Sequence, residues 1–337
     1  MDAQEQLYEA LGDYRAGGRA QGIFETHWGG PGTVPALQDL GPPELLLDVL
    51  PFPPTPDQRS AIEGLGYWAV PCEFPEGLAY QHPDWPHRLL LLSHRQGHVH
   101  DQMLLWDWLG TDPQAQARYR EQWARAGRVA ADAALLPEAR EAHAQATGFA
   151  PLQEVAGLLS PLDLPWMFAA GWAIDLLLGT PGRPHEDIDI IVPRAAQAEV
   201  QALLQAAGLH AQAVRDGGYS PWTGPLELPD HQVHVHRSGA PMLDLMLTDL
   251  SGGQWHYRRD PTITLPLAQA RRVTAGGLPY LAPEAALLFK SATSDQAPRP
   301  KDQADFERAR PMLDAAQRQW LADRLSADHP WRARLMP

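Results

Sequence analysis

Two aspartates, Asp187 and Asp189, stand two residues apart in the segment HEDIDIIVPR (185–194). In an extended strand they project to one face while Ile188, Ile190 and Val192 project to the other. Carboxylates about 6 to 7 Å apart along a strand repel one another appreciably unless a cation sits between them. That is the geometry of a divalent-metal clamp. A third acid, Asp244, lies inside the apolar run MLDLML (242–247), on the face opposite Leu243, Leu245 and Leu247. A carboxylate there is costly without a partner, and a metal shared with Asp187 and Asp189 supplies one.

The elements that must position these acids are legible on either side. Gly171 makes a tight turn that opens a short helix (GWAIDLLLG, 171–179), and a Gly/Pro loop leads into the strand of Asp187. Residues 195–209 (AAQAEVQALLQAAGL) form a helix with Val200, Leu203 and Leu204 inward, and strands are expected near 212–214, 231–236 and 242–247. The remainder is helical: 283–293, which places Leu287 and Lys290 one turn apart, then 301–310, then a last helix to Leu325 opened by a capping box of Asp314 and Gln317.

Of the 27 basic residues only two, Lys290 and Lys301, are lysines. A compact ammonium in an otherwise arginine-using chain suits point-charge contact with phosphate or carboxylate. The 337 residues exceed one ordinary domain, and the segment ATGFAP (146–151) is the natural boundary. A net charge of −14 argues against a nucleic-acid surface and favours a small-molecule partner. No apolar run reaches the roughly 18 residues of a membrane span, and the N-terminus does not read as a signal peptide. A cytoplasmic protein is expected. The single cysteine, Cys72, is expected to be buried and unpaired.

The first half reads as a helix at 3–16, a glycine-rich turn at Gly29–Gly32, a strand at 45–50 carrying one acid, Asp48, and a helix begun by Thr55-Pro56-Asp57. Strands follow at 67–74 and 88–93, then a helix from Asp101 stopped at Gly110, another from Asp112-Pro113 to Arg125, and a long helix to about Gln145. The text ALG (10–12), THWGGPGTVPAL (26–37), IEGLGY (62–67), HRLLLL (87–92) and LLWDWLGTDP (104–113) resembles the GrpB-like family of the polymerase-beta-type nucleotidyltransferase superfamily. With one acid on its strand this half cannot bracket a metal pair, so packing, dimerisation or substrate restriction is its expected role. His98 and His100 could share a strand face, but no third zinc ligand stands at a recognisable spacing.

The second half resembles the aminoglycoside and lincosamide nucleotidyltransferase group of the same superfamily. The resemblance rests on GWAIDLLLG (171–179), RPHEDIDIIVPR (183–194), LDLML (243–247), WHYRRDP (255–261), YLAPEAALLFK (280–290) and RPKDQADF (299–306). It implies an α+β chain of two nucleotidyltransferase-like domains, 1–148 and 149–337, each a small mixed sheet flanked by helices, the second with a C-terminal helical region. It also implies transfer of a nucleoside monophosphate, AMP from ATP, to a hydroxyl of a small polar acceptor, with two Mg2+ ions. Asp187 and Asp189 would hold the metals. Asp244 would be a third ligand or the base. Backbone N–H groups of Gly171 and Trp172 would meet the triphosphate, with Arg183, Lys290 and Lys301 supplying charge. The group opens with Gly-Gly, whereas this chain has Ala170-Gly171, an added methyl beside a phosphate site. The contrasting expectation is a non-catalytic nucleotide-binding or interaction module, and a homodimer fits either. Asp175 reads as a structural brace for Arg183 or the loop, and Arg258, Arg259 and Asp260 as a loop tie. Of His231, His234 and His236, only the last two share a face.

Overall fold

The computed structural model describes all residues except 1, 14–21, 76, 93–97, 216–217, 238–239, 292–297 and 337. The chain divides into two compact units, 1–146 and 147–337. Both are α+β with mixed sheets. Among the described residues no helix is long and apolar enough to cross a membrane.

In the first unit helix α1 (Ala3–Leu11) opens on a capping box between Asp2 and Glu5. It stops at Gly12 (φ 79°), sooner than the apolar spacing suggested. Strand β1 (Gly22–Gly29) follows where the sequence showed only a turn, because its partner strand lies well downstream. β2 (Glu44–Leu50), α2 (Pro56–Gly64), β3 (Trp68–Val70), β4 (Leu78–Gln81) and β5 (Arg88–Leu92) complete a five-stranded sheet in the order β1-β2-β5-β4-β3. Thr55 caps α2 as expected, its side chain accepting from the Gln58 N–H at 3.2 Å.

Helices α3 (His98–Thr111), α4 (Pro113–Ala126) and α5 (Arg128–Thr147) follow. Three expectations fail here. His98 and His100 lie on a helix, not a strand. The helix runs through Gly110, and Asp101 does not cap it but sits in its first turn, where it accepts from Arg140 at 2.6 to 2.9 Å. Cys72 is only half-buried.

β2 also begins a residue earlier than its apolar run, which brings in Glu44 on the face of Asp48. Glu44 is buried, with Arg128 Nη1 and Nη2 both at 2.6 Å and Arg88 on its Oε1. Four residues separate the two acids along the strand, about 13 Å, too far to share an ion. Glu44 is a structural counter-ion.

The second unit runs α6 (Ala150–Leu159), β6 (Met167–Phe168), α7 (Ala170–Leu178), β7 (Asp187–Pro193), α8 (Gln197–Ala206), β8 (Ala211–Arg215), β9 (Gly218–Pro221), β10 (Gln232–Arg237) and β11 (Ala240–Thr248). A small ribbon of β12 (Gln254–His256) and β13 (Thr264–Pro266) precedes α9 (Leu267–Ala270), β14 (Arg271–Val273) and β15 (Pro279–Leu281). The chain closes with α10 (Pro283–Lys290), α11 (Pro300–Ala309), α12 (Ala315–Ala322) and α13 (Arg332–Leu335). The Asp314–Gln317 capping box at α12 forms as read from sequence.

Eight strands make one sheet in the order β14-β15-β6-β7-β11-β10-β8-β9. One face buries Ile188, Ile190, Val192, Val233, Val235, Leu243, Leu245 and Leu247 in a cluster shared with α6 and α8. Each such side chain contributes roughly 1.5–3 kcal/mol, which fixes the register and forces the alternate residues of β7 and β11 onto the other face. Helices α10 to α13 cover only the end of that face near Met167 and Ile191. The acids lie beyond.

Candidate active site

Strands β7 and β11 pair in parallel, with Asp189 opposite Asp244 and Asp187 opposite Met242. Neighbouring strands run about 4.8 Å apart, so the register brings together the three carboxylates expected from the sequence. Gln232 Nε2 donates to Asp244 Oδ2 at 2.5 Å, and His234 Nε2 lies 3.8 Å from Asp244 Oδ1. Burial drives the Asp244 carboxyl up to about 7; the Gln232 hydrogen bond opposes the shift and the Asp187 charge adds to it. Asp189 is raised for the same reasons, burial first and then the Asp187 and Asp244 charges, while Lys290 and Arg183 pull it down. Two acids that resist ionisation side by side are a site awaiting a cation.

The donor set fits a hard ion. Carboxylate oxygens suit Mg2+, which takes one or two carboxylates and completes its shell with water and phosphate. Asp244 Oδ1 is buried with no hydrogen-bond partner, the kind of orphaned atom a ligated ion would satisfy. Among the described residues no three acidic, histidine or cysteine side chains gather tightly enough to hold an ion by themselves.

The turn before α7 lies against this site. The Ala169 N–H donates to the Asp189 carbonyl at 2.9 Å, and Trp172 Nε1–H donates to the Asp187 carbonyl at 2.9 Å. Trp172 therefore anchors β7 through its indole; only its backbone remains for a ligand. Ala170 has φ 48°, the sole non-glycine residue at positive φ among those described. The left-handed region costs an L-residue about 1–2 kcal/mol, partly offset by the extra chain entropy glycine would lose. Ala170→Gly is therefore expected to stabilise the protein by about 0.5–1 kcal/mol, read as a raised thermal midpoint. An ordinary Ala→Gly change in a helix has the opposite sign.

A Cβ at Gly171 would overlap Arg183 Nη2 and the His185 ring, so only glycine fits there. His185, which the sequence did not single out, stacks on Trp172 at 4.1 Å and 25° and is bonded through Nε2 to Asp175 Oδ2 at 2.7 Å. Asp175 also accepts from Arg308 at 2.8 Å. It is structural, as expected, but its partners are His185 and Arg308 rather than Arg183.

The cationic residues divide. Arg183 Nη2 lies 3.4 Å from Asp305 and its charge reaches Asp189. Lys290 is buried between Asp302 at 3.0 Å and Asp305 at 2.8 Å, so it acts on the site through its field, not by contact. Lys301 is exposed on α11, and nothing in the structure brings it to the acids. Arg299, missed from the sequence, is bonded to Asp302 at 2.6 Å and lies within electrostatic range of Asp187 and Asp189. The spacing of Asp302 and Asp305, one helical turn apart in KDQAD, was the available signal. Arg258 lies within electrostatic range of Asp244; the loop is tied by Arg259 on the Phe289 carbonyl and Asp260 on Thr262.

Residues 151–239 match the family model described as aminoglycoside-2''-adenylyltransferase. A 2''-aminoglycoside nucleotidyltransferase of Escherichia coli is 35% identical over 57 residues, which is 17% of this chain and 32% of the relative. The chain thus spans about a third of the length of that curated relative. Two solved structures are similar at 18% identity. One is ANT(2'')-Ia in complex with adenylyl-2''-tobramycin, over 55% of this chain and 97% of that one, with a TM-score of 0.39. The other is the lincosamide antibiotic adenylyltransferase LnuA, lincomycin-bound, over 48% and 96%, with a TM-score of 0.38.

Proposed function

We propose that the second unit is a metal-dependent nucleotidyltransferase that moves AMP from ATP to a hydroxyl of a small polar, aminoglycoside- or lincosamide-like acceptor. The observation that carries this reading is the parallel register that sets Asp189 beside Asp244, with Asp187 on the same face and the start of α7 alongside. The family match over 151–239 supports it.

In this reading Asp187 and Asp189 would hold Mg2+, and the bound ion would supply charge stabilisation for the phosphate being transferred. Asp244 takes the proton of the acceptor hydroxyl, whose oxygen bonds to the α-phosphorus as the bond to the β-phosphate oxygen breaks and pyrophosphate leaves. A carboxyl titrating near 7 is matched to that task at neutral pH. Backbone N–H groups of Gly171 and Trp172 meet the triphosphate, and Arg183 adds charge from beside Gly171. Lys290 holds Asp302 and Asp305 and acts on Asp189 through its field, whereas Lys301, exposed on α11, has no part in this reading.

The first unit reads as a GrpB-like, non-catalytic relative, because the second acid of β2 is spent on Arg88 and Arg128. One observation favours the non-catalytic reading of the whole protein: the crowding of Arg183 and His185 onto Gly171, beside a left-handed alanine.

Calorimetry of Mg·ATP decides between them. Wild-type protein is expected to bind Mg·ATP only with metal present, and Asp187→Asn to weaken that binding at least tenfold. Pyrophosphate release on adding an acceptor then separates catalysis from binding. Metal-independent or absent ATP binding would sink the enzyme reading.

A further inference from the structure

The face that carries Asp244 continues past it. Asp244 pairs with His234, and His234 with Gln212 on β8. Gln232 and His236 flank His234 two residues away on β10, hence on the same face. The Tyr219 ring lies 5.3 Å from that of His234, and the His236 ring 6.3 Å from it. All five of Gln212, Tyr219, Gln232, His234 and His236 are half-buried, in contrast to Val233 and Val235, which are sealed into the core on the other side. Arg258, also half-buried, lies within electrostatic range of Asp244.

Val214, Met242 and Met246 share this face, and the polar side chains among them have one chemistry. Amide, imidazole and phenol each donate and accept hydrogen bonds, and these residues contribute no carboxylate beyond Asp244 itself, which the reaction uses. We infer that this floor is the acceptor subsite and that it selects a hydroxyl-rich acceptor of low positive charge over a polycation. The inference rests on the nucleotidyl-transfer reading and narrows its substrate class. Hydroxyls match side chains that both donate and accept. Among these side chains an ammonium finds no carboxylate but that of Asp244, and the Arg258 charge that Asp244 feels opposes a second cation there. The overall charge of −14 draws cations from a distance, but that field is screened within a Debye length of about 8 Å, so the floor decides at contact.

The test uses the full chain saturated with Mg2+ and an ATP analogue that cannot be cleaved between the α- and β-phosphates. Lincomycin, with one basic nitrogen, and tobramycin, with five, are titrated calorimetrically. Lincomycin is expected to bind at least tenfold more tightly. His236→Glu, and independently Gln212→Glu, are each expected to shift the ratio at least tenfold toward tobramycin, while His236→Gln leaves it within threefold. Tobramycin binding as tightly as lincomycin in the wild type, an unchanged ratio in both glutamate variants, or failure of lincomycin to bind the loaded protein overturns the inference. Failure of the analogue itself to bind fells the nucleotidyl-transfer reading first, and is seen in the titration that precedes the acceptor.

Discussion

Asp244→Asn is expected to lower pyrophosphate release by about 10³-fold, the usual contribution of a positioned general base, while stabilising the metal-free protein. The two effects have one origin. Burial and the neighbouring Asp187 charge push the Asp244 carboxyl from 3.8 up to about 7 in the folded chain. A raised pKa means the folded state holds a proton that the unfolded state has released. The associated stability is fully present below pH 3.8, declines as pH climbs, and is gone above about 7. Asparagine stays neutral and escapes that loss. Above pH 7 the variant should therefore be more stable than wild type by on the order of 4 kcal/mol, at 1.36 kcal/mol per pKa unit. Its denaturation midpoint should be flatter across pH 4 to 8. Added Mg2+ should narrow the gap at high pH, since the ion stabilises the ionised wild-type carboxylate. Equal stability of the two proteins at pH 8 without metal would show that Asp244 ionises without penalty.

The second large effect belongs to the first unit. Glu44→Gln is expected to destabilise the protein by about 3–5 kcal/mol, because removing one partner of a buried ion pair strands the other. Here two guanidiniums lose their most buried partner. Arg128 is buried and also contacts Glu73 at 2.8 Å and Asp132 at 3.6 Å, while Gln102 and Tyr119 donate to Asp132 at 2.9 and 2.6 Å. Glu73 also bridges Arg88, at 2.6 and 2.8 Å, and Arg128, but its side chain is 30% exposed against 1% for Glu44, so the buried side of both arginines is left without a carboxylate. Urea denaturation of Glu44→Gln against wild type gives the number. A loss under 1 kcal/mol, the range of an exposed pair, would mean that water reaches the arginines.

The acids of β7 could be read from sequence because a strand imposes a period of two, and apolar residues at 188, 190 and 192 declare which face is inside. Local chemistry likewise revealed the caps at Thr55 and Asp314. What could not be read depends on distant chain. β1 went unread because its pairing with β2 is not written in its own residues, although the glycine turn that follows it, at Gly29–Gly32, was; Met167–Phe168 is too short to show a period. Lys290 looked available for phosphate because its acids, Asp302 and Asp305, are on another helix. His185 gave no signal, since its role depends on Asp175 ten residues back and on the Trp172 ring.

The pairing of Asp189 with Asp244 joins residues 55 positions apart. The entropy of closing so long a loop must be met before the pairing rewards it, so during folding the carboxylates stay apart until the apolar face of β11 has docked on β7. Their repulsion is felt only once that pairing has formed.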